Sequence, residues 1–169
     1  MSTARVIEEI KYLIKNYQID GLHFYDDTLT VNKPRIIELC NQMIEEKINL
    51  PWACFTRVDC VDEEILKKMA EANCYQIFYG VEAGNQRMLD VMNKGITIEQ
   101  IKKAFALTRK YKIEALASFI IGVPTETLED TKESLKFAKE IKADFAHWEI
   151  YTPHPGTIYI ILLLSMGIF

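Results

Sequence analysis

Hydrophobic positions along the chain switch repeatedly between two spacings. Val6, Ile7, Ile10, Leu13 and Ile14 recur at helical intervals, and Gly21-Leu22-His23-Phe24-Tyr25 then reads as a strand. Asn32, followed by Pro34, marks a helix start, with Ile36, Leu39, Cys40, Met43 and Ile44 as its apolar stripe. Pro51 opens a strand from Trp52 to Thr56. Asp62 caps a helix carrying Ile65, Leu66 and Met69, which ends near Asn73, a residue that tolerates left-handed backbone. Tyr75 to Val81 is a β-rich run. Thr97-Ile98-Glu99-Gln100 has the form of a capping box ahead of Ile101, Phe105 and Leu107. Glu114 to Ile121 reads as strand, Thr127 begins a helix through Leu135, Ala138 and Ile141, and Phe145 to Tyr151 is the last strand.

Alternating strands and helices with short connections make a parallel sheet with right-handed crossovers. Two architectures satisfy that pattern: an open doubly wound sheet and a (β/α) barrel. Polar groups follow each strand, namely Asp26-Asp27, Thr56-Arg57, Glu82, Gly122 to Glu126, and Glu149 to Tyr151. A barrel gathers such strand ends at one mouth. An open sheet of the doubly wound kind would place a glycine-rich phosphate loop after its first strand, and neither GxGxxG nor GxxxxGK[ST] occurs. The pattern therefore predicts an α/β fold, a partial TIM-like barrel of parallel strands with about five βα units. The chain begins with a helix where a βα repeat calls for a strand, so a further strand is expected upstream.

Composition narrows the function. The chain has 169 residues, 49% hydrophobic and 26% charged, which suits one domain with a packed core and excludes wholesale disorder. Twenty basic residues against 24 acidic ones leave a net charge of −4, so no nucleic-acid partner held by counterion release is expected. Met1 to Arg5 lead directly into a charged amphipathic stretch rather than a secretory signal. The long apolar run, residues 158–169, is far short of the roughly 20 residues a spanning helix needs, and no membrane partner is expected. Cys40, Cys54, Cys60 and Cys74 contain no CxxC pair and read as small hydrophobes in a reducing cytoplasm.

Asp26, Asp27, Glu82 and Glu126 are the candidate acids of a barrel mouth. Together they would hold Mg²⁺ or accept hydrogen bonds from hydroxyls and an amine. Otherwise they are solvated loop acids, Glu126 serving the N-terminus of the following helix. Arg57 either grips a ligand carboxylate or pairs with Asp59. His147, Glu149 and Tyr151 alternate along the last strand and would share one face, predicted to point inward and line a pocket.

Six strings in order carry a resemblance. They are Phe24-Tyr25-Asp26-Asp27-Thr28, Thr56-Arg57-Val58-Asp59, Tyr79-Gly80-Val81-Glu82-Ala83-Gly84, Met92-Asn93-Lys94-Gly95, residues 119–127 and residues 152–157. Together they resemble the middle of a radical S-adenosylmethionine (radical SAM) domain, nearest to the branch with an upstream cobalamin-binding domain that includes anaerobic Mg-protoporphyrin ester cyclases. The resemblance covers residues 1–157, the second to sixth strands of a (β/α)6 barrel. It leaves 158–169 as an apolar tail to which no function is assigned.

The resemblance implies two cofactors for the full-length parent, S-adenosylmethionine (SAM) and a [4Fe–4S] cluster that cleaves it to a 5′-deoxyadenosyl radical, with cobalamin where an upstream domain carries it. Asp26 and Asp27 stand where many members carry the Gly-Gly-Glu that meets the SAM amino group. Glu82 matches the residue that reaches the SAM ribose or amino group. Gly122 and Glu126 belong to the stretch that packs the adenine, and Arg57 lies where a polar side chain approaches SAM or substrate. His147, Glu149 and Tyr151 fall on the substrate side. Two departures stand out. The first strand and its CxxxCxxC loop are absent, and Thr125 replaces the glycine of Gly-x-Pro-Gly-Glu-Thr, which is expected to stiffen that turn.

The expected function is therefore a piece of a radical SAM oxidoreductase or methyltransferase acting on an unreactive C–H bond of a small molecule. It carries SAM-positioning residues without the cluster ligands. The alternatives are a Mg²⁺-dependent barrel lyase using Asp27, Glu82 and Glu126, for which only His147 or His154 offers a base, and a catalytically empty binding or scaffold module. The sheet flank left by the missing strand is a template for pairing with a second copy. Three thiolates from one short loop hold such a cluster, and these cysteines are expected on separate elements. Anaerobic reconstitution of this chain with iron and sulfide should give no stable [4Fe–4S] cluster and no 5′-deoxyadenosine. Stoichiometric iron with product formation would overturn the cysteine reading.

Overall fold

The helix caps form as the sequence specifies. In the computed structural model, which describes residues 2–153, Asn32 accepts from the Arg35 amide at 3.1 Å and Asp62 from the Ile65 amide at 2.9 Å. Thr97 closes a capping box with Gln100, and Thr127 closes another in which Asp130 takes the place of the usual Glu or Gln. The elements run α1 (Thr3–Tyr17), β1 (Leu22–Phe24), α2 (Lys33–Glu45), β2 (Trp52–Thr56), α3 (Glu63–Glu71), β3 (Cys74–Glu82), α4 (Gln86–Val91), α5 (Ile98–Lys110), β4 (Glu114–Ile121), α6 (Leu128–Glu140) and β5 (Phe145–Ile150). His154 and the boundary expected at residue 157 lie outside the described residues. No helix among the described residues is long and apolar enough to cross a membrane.

All five strands pair in parallel, in the order β1-β2-β3-β4-β5. A doubly wound sheet reverses its order at a switch point; this one does not, and it has the succession of a barrel wall. With right-handed crossovers, unreversed order puts every helix on the same side. The helices accordingly pack in sequence there, α1 on α2, α2 on α3 and α3 on α5.

The side chains facing those helices make the core. Trp52 and Cys54, Ile77, Tyr79 and Val81, and Ala115, Ala117 and Phe119 are buried, at alternate positions of three strands. Two polar atoms enter that core with partners: the Trp52 indole donates to Ala72 O at 2.6 Å, and the Tyr79 hydroxyl meets Thr108 Oγ1 at 2.8 Å. Burial pushes the Tyr79 phenol far above its ordinary pKa, so it stays neutral. The intervening residues point to the other, concave face. There His23, Phe55 and Phe78 place three rings side by side across β1, β2 and β3, with centroids 4.9 Å apart for both His23–Phe55 and Phe55–Phe78.

The structure corrects three expectations. Helix α4 was not expected, because its six residues carry only the adjacent pair Met88-Leu89 on the core side; Asn85 caps it by accepting from the Met88 amide at 2.9 Å. Leu135 is exposed, and Ser134 and Phe137 take the buried face of α6 instead. Strand β5 stops at Ile150, so Tyr151 lies beyond the strand, its amide donating to Ile121 O at 2.7 Å.

The turn after β4 holds Thr125 at φ 73°, a left-handed conformation that a β-branched side chain resists. Thr125→Gly would release strain of about 1–3 kcal/mol against about 0.4–1 kcal/mol of added unfolded-state freedom. The expected net is a gain of between about 0 and 2.5 kcal/mol in urea unfolding. A loss of stability would show that the Thr125 side chain makes compensating contacts.

Candidate active site

Because the strands are parallel, their C-terminal ends share one rim, and Asp27, Arg57, Glu82 and the Gly122–Glu126 turn all lie along it. A cavity of about 720 Å³ opens there on the concave face. Of the residues singled out in the sequence, Asp27, Arg57, Glu82, His147 and Glu149 line it. Phe55, Phe78, Leu116 and Phe145 contribute apolar surface to the same cavity. Four candidates lie elsewhere. Asp26 is turned into a separate groove with Glu9 and Arg35, Gly122 and Glu126 form the turn beside the cavity rather than its wall, and Tyr151 packs half-buried against the core.

Glu82 is the most constrained of these groups. The β3–β4 register slips between Gly80 and Glu82, and Glu82 sits at φ 69°. Its carboxylate pairs with Lys94 Nζ at 2.6 Å, with only 14% and 20% of the two side chains exposed. The pair occupies the space that a side chain at residue 80 would take: a Cβ on Gly80 would lie 2.5 Å from Glu82 Oε1 and 2.8 Å from Lys94 Nζ. Sequence reasoning placed no lysine at a strand end. Lys94 reaches Glu82 from the loop between α4 and α5, where Asn93 and Gly95 take left-handed backbone at φ 50° and 70°. The Met92-Asn93-Lys94-Gly95 string was the available signal.

Of its two expected uses Arg57 makes the internal one, gripping Asp59 through Nε and Nη2, both at 2.9 Å. Hydrogen bonding between them holds the Asp59 carboxyl below its ordinary pKa and the Arg57 guanidinium above its own. Arg57 Nη2 also donates to Lys94 O at 3.0 Å, so it fixes the loop that delivers the lysine. Glu126 accepts from the Gly122 and Val123 amides and from Thr131 Oγ1, closing its own turn. On β5, His147 Nε2 stands 3.3 Å from Glu149 Oε1, both well exposed.

These placements decide what the site can hold. Glu82 is engaged by Lys94 and Glu126 by its turn, and among the described residues no three His, Cys, Asp or Glu side chains form a group able to hold a metal ion. The Mg²⁺ lyase arrangement of Asp27, Glu82 and Glu126 is not formed. The cysteines do not fit an iron–sulfur cluster either. Cys40, Cys54 and Cys74 are buried, Cys54 and Cys74 in strands and Cys40 on α2. Burial pushes the Cys40 thiol up to about 12 and Cys74 well above its ordinary value, away from the thiolate a cluster requires. The cavity lining does carry the chemical groups that SAM calls for: the Asp27 and Glu82 carboxylates suit an amine and ribose hydroxyls, and the Lys94 ammonium suits a carboxylate, with the Glu82–Lys94 pair exchanging its internal contact for those of the ligand.

The chain belongs to the radical SAM superfamily, whose sequence profile matches residues 1–138. It is 39% identical over 156 residues to the uncharacterized methyltransferase PH0819 of Pyrococcus horikoshii, covering 92% of this chain and 34% of that protein. It is 34% identical over 153 residues to the anaerobic magnesium-protoporphyrin IX monomethyl ester cyclase of Rubrivivax gelatinosus, covering 89% and 28%. In fold it is similar to the radical SAM methyltransferase TsrM of Kitasatospora setae, solved with cobalamin and a [4Fe–4S] cluster bound (TM-score 0.79, 19% identity, 88% of this chain and 31% of that one). The chain thus spans about a third of the length of each of these proteins. Membership in the superfamily implies SAM and a [4Fe–4S] cluster as the cofactors of the enzyme to which the chain corresponds.

Two glycines of this region should respond differently to a methyl group. At Gly80 the added Cβ meets only the ends of flexible side chains, so Gly80→Ala should fold with a loss of about 1–2 kcal/mol while displacing Glu82 from Lys94. At Gly84 the Cβ would lie 2.4 Å from Ser134 Cα, and Gly84→Ala should lose about 3 kcal/mol or fail to fold. Thermal unfolding, with the Glu82 carboxyl carbon shift by NMR, checks both. Equal losses in the two variants would contradict the geometry.

Proposed function

We propose that this chain supplies the SAM-holding wall of a radical SAM methyltransferase or cyclase, with Glu82 as the central ligand-facing group. The observation that carries this is the Glu82–Lys94 pair, buried at a cavity rim, on left-handed backbone, in space that glycine alone leaves open. Strained backbone of this kind concentrates at functional sites. Glu82, with Asp27 across the cavity, accepts hydrogen bonds from the SAM amine and ribose hydroxyls, and Lys94 faces the SAM carboxylate. Asp26 does not share this task, being turned out of the cavity. Arg57 acts by holding the Lys94 loop, and the Ile120–Glu126 stretch bounds the adenine.

The apolar surface of Phe55, Phe78 and Phe145, flanked by His147 and Glu149, then faces the substrate. That substrate is a small molecule attacked at an unreactive C–H bond. The names of PH0819 and the Rubrivivax cyclase support methyl transfer or ring closure as the reaction, and the cobalamin in TsrM supports a cobalamin-binding domain elsewhere in the full-length enzyme. Four free cysteines support a reducing, cytoplasmic setting.

The chain should bind SAM weakly, with Kd on the order of 1 mM, because the cluster's share of the affinity is missing. Glu82→Gln should raise Kd about tenfold, the worth of one charge-assisted hydrogen bond. Saturation-transfer NMR with SAM reads both values. Equal signals from wild type and Glu82→Gln would sink the assignment.

A further inference from the structure

The turn after β3 and the turn after β4 both border the proposed ligand, yet neither contacts it through the group that ties them together. Asp130, in the first turn of α6, is buried. Its carboxylate takes donors from the residues that directly follow both turns: the Arg87 guanidinium of α4 through Nε at 3.2 Å and through Nη2, Nδ2 of the α4 cap Asn85 at 2.9 Å, and the amide and Oγ1 of the α6 cap Thr127 at 2.8 Å and 2.6 Å. Arg87 also donates to the carbonyl of Thr125 at 3.2 Å. Beside this knot the Gly84 amide donates to Ser134 Oγ at 2.9 Å, so close to α6 that no side chain fits at residue 84.

We infer that Asp130 is a positioning residue: with Arg87 it clamps the Glu82–Gly84 turn to the Gly122–Thr125 turn and so presets the rim that receives SAM. The inference rests on the ligand site proposed above. Three observations favour a clamp over a simple helix cap. A cap needs only the Thr127 donors, whereas Arg87 and Asn85 arrive from a different element. Both clamped turns hold a non-glycine residue in left-handed backbone, Glu82 at φ 69° and Thr125 at φ 73°, which persists only where surroundings over-determine it. Neither Asp130 nor Arg87 lines the cavity. Loosening the clamp leaves every ligand contact chemically available but transfers the ordering of two turns to the moment of binding, which lowers affinity.

The test uses the whole chain, SAM as probe, and two variants. Asp130→Asn keeps the shape of the side chain, and Arg87→Met lies outside α6 and leaves its capping box intact. In both, Kd for SAM should rise about five- to tenfold, and amide exchange should quicken at Glu82–Gly84 and Gly122–Thr125 while the β3 and β4 interiors keep their protection. In a Glu82→Gln background the effect on Kd should shrink to about two- to threefold, since the part carried through the Glu82 turn is already lost while the Gly122–Thr125 turn still has to be ordered. An unchanged Kd, or an equal loss in both backgrounds, overturns the positioning role. Should wild type bind no SAM, the reading of the ligand site falls while exchange still judges the clamp: acceleration confined to the two turns supports it, and unchanged exchange overturns it.

Discussion

Unreversed strand order is the constraint from which the rest of this structure follows. Each right-handed crossover returns its helix to the same side of the sheet, so the helix-side residues of β2, β3 and β4 are sealed while, among the described residues, the concave side receives no helix. That asymmetry explains two compositions within one sheet. Cys54, Ile77, Tyr79 and Phe119 face the helices, whereas Phe55, Phe78, Gly80, Glu82 and His147 face a space bounded by the sheet itself. It also explains why the chemistry collects at one end, since parallel strands deliver all their C-terminal turns to a common rim.

Three of the charges at that rim are held in ion pairs. Asp59 neutralises Arg57, Lys94 neutralises Glu82, and Arg87 neutralises Asp130. The pairs are linked through backbone, because Arg57 holds the carbonyl of Lys94 and Arg87 that of Thr125. The Arg87 guanidinium and the Thr127 donors hold the Asp130 carboxyl below the usual carboxylate range. Its contribution to stability is therefore fully present above the ordinary carboxylate pKa and is lost only as pH falls through its own depressed value.

Sequence patterning revealed the βα alternation, the caps at Asn32, Asp62, Thr97 and Thr127, and the single rim, since each depends on local spacing or on residue types with one dominant use. It favours barrel over doubly wound sheet through the polar residues at each strand end and the missing glycine-rich motifs; strand order, a non-local property, decides. Helix α4 escaped because six residues are too few to show a period. The site was half legible. Glu82 stood out as an acid after an apolar strand, but its partner Lys94 comes from a loop past an intervening helix, and no spacing rule connects residues 82 and 94. Asp26 and Asp27 looked equivalent in sequence, yet consecutive residues leaving a strand turn to opposite sides, which separates them into different cavities.

The two tryptophans among the described residues fall at contrasting depths of this asymmetric sheet. Trp52 is sealed in the core with its indole bonded to Ala72 O, whereas Trp148 lies half-buried on the outermost strand, stacked on Phe119 at 4.5 Å. The chain therefore contains its own pair of optical reporters: one emits from a dry interior, the other from a margin open to water and to quenchers. Loss of the β5 margin would dim or shift the second while leaving the first unaltered, so peeling of the edge and melting of the whole are distinguishable by colour alone.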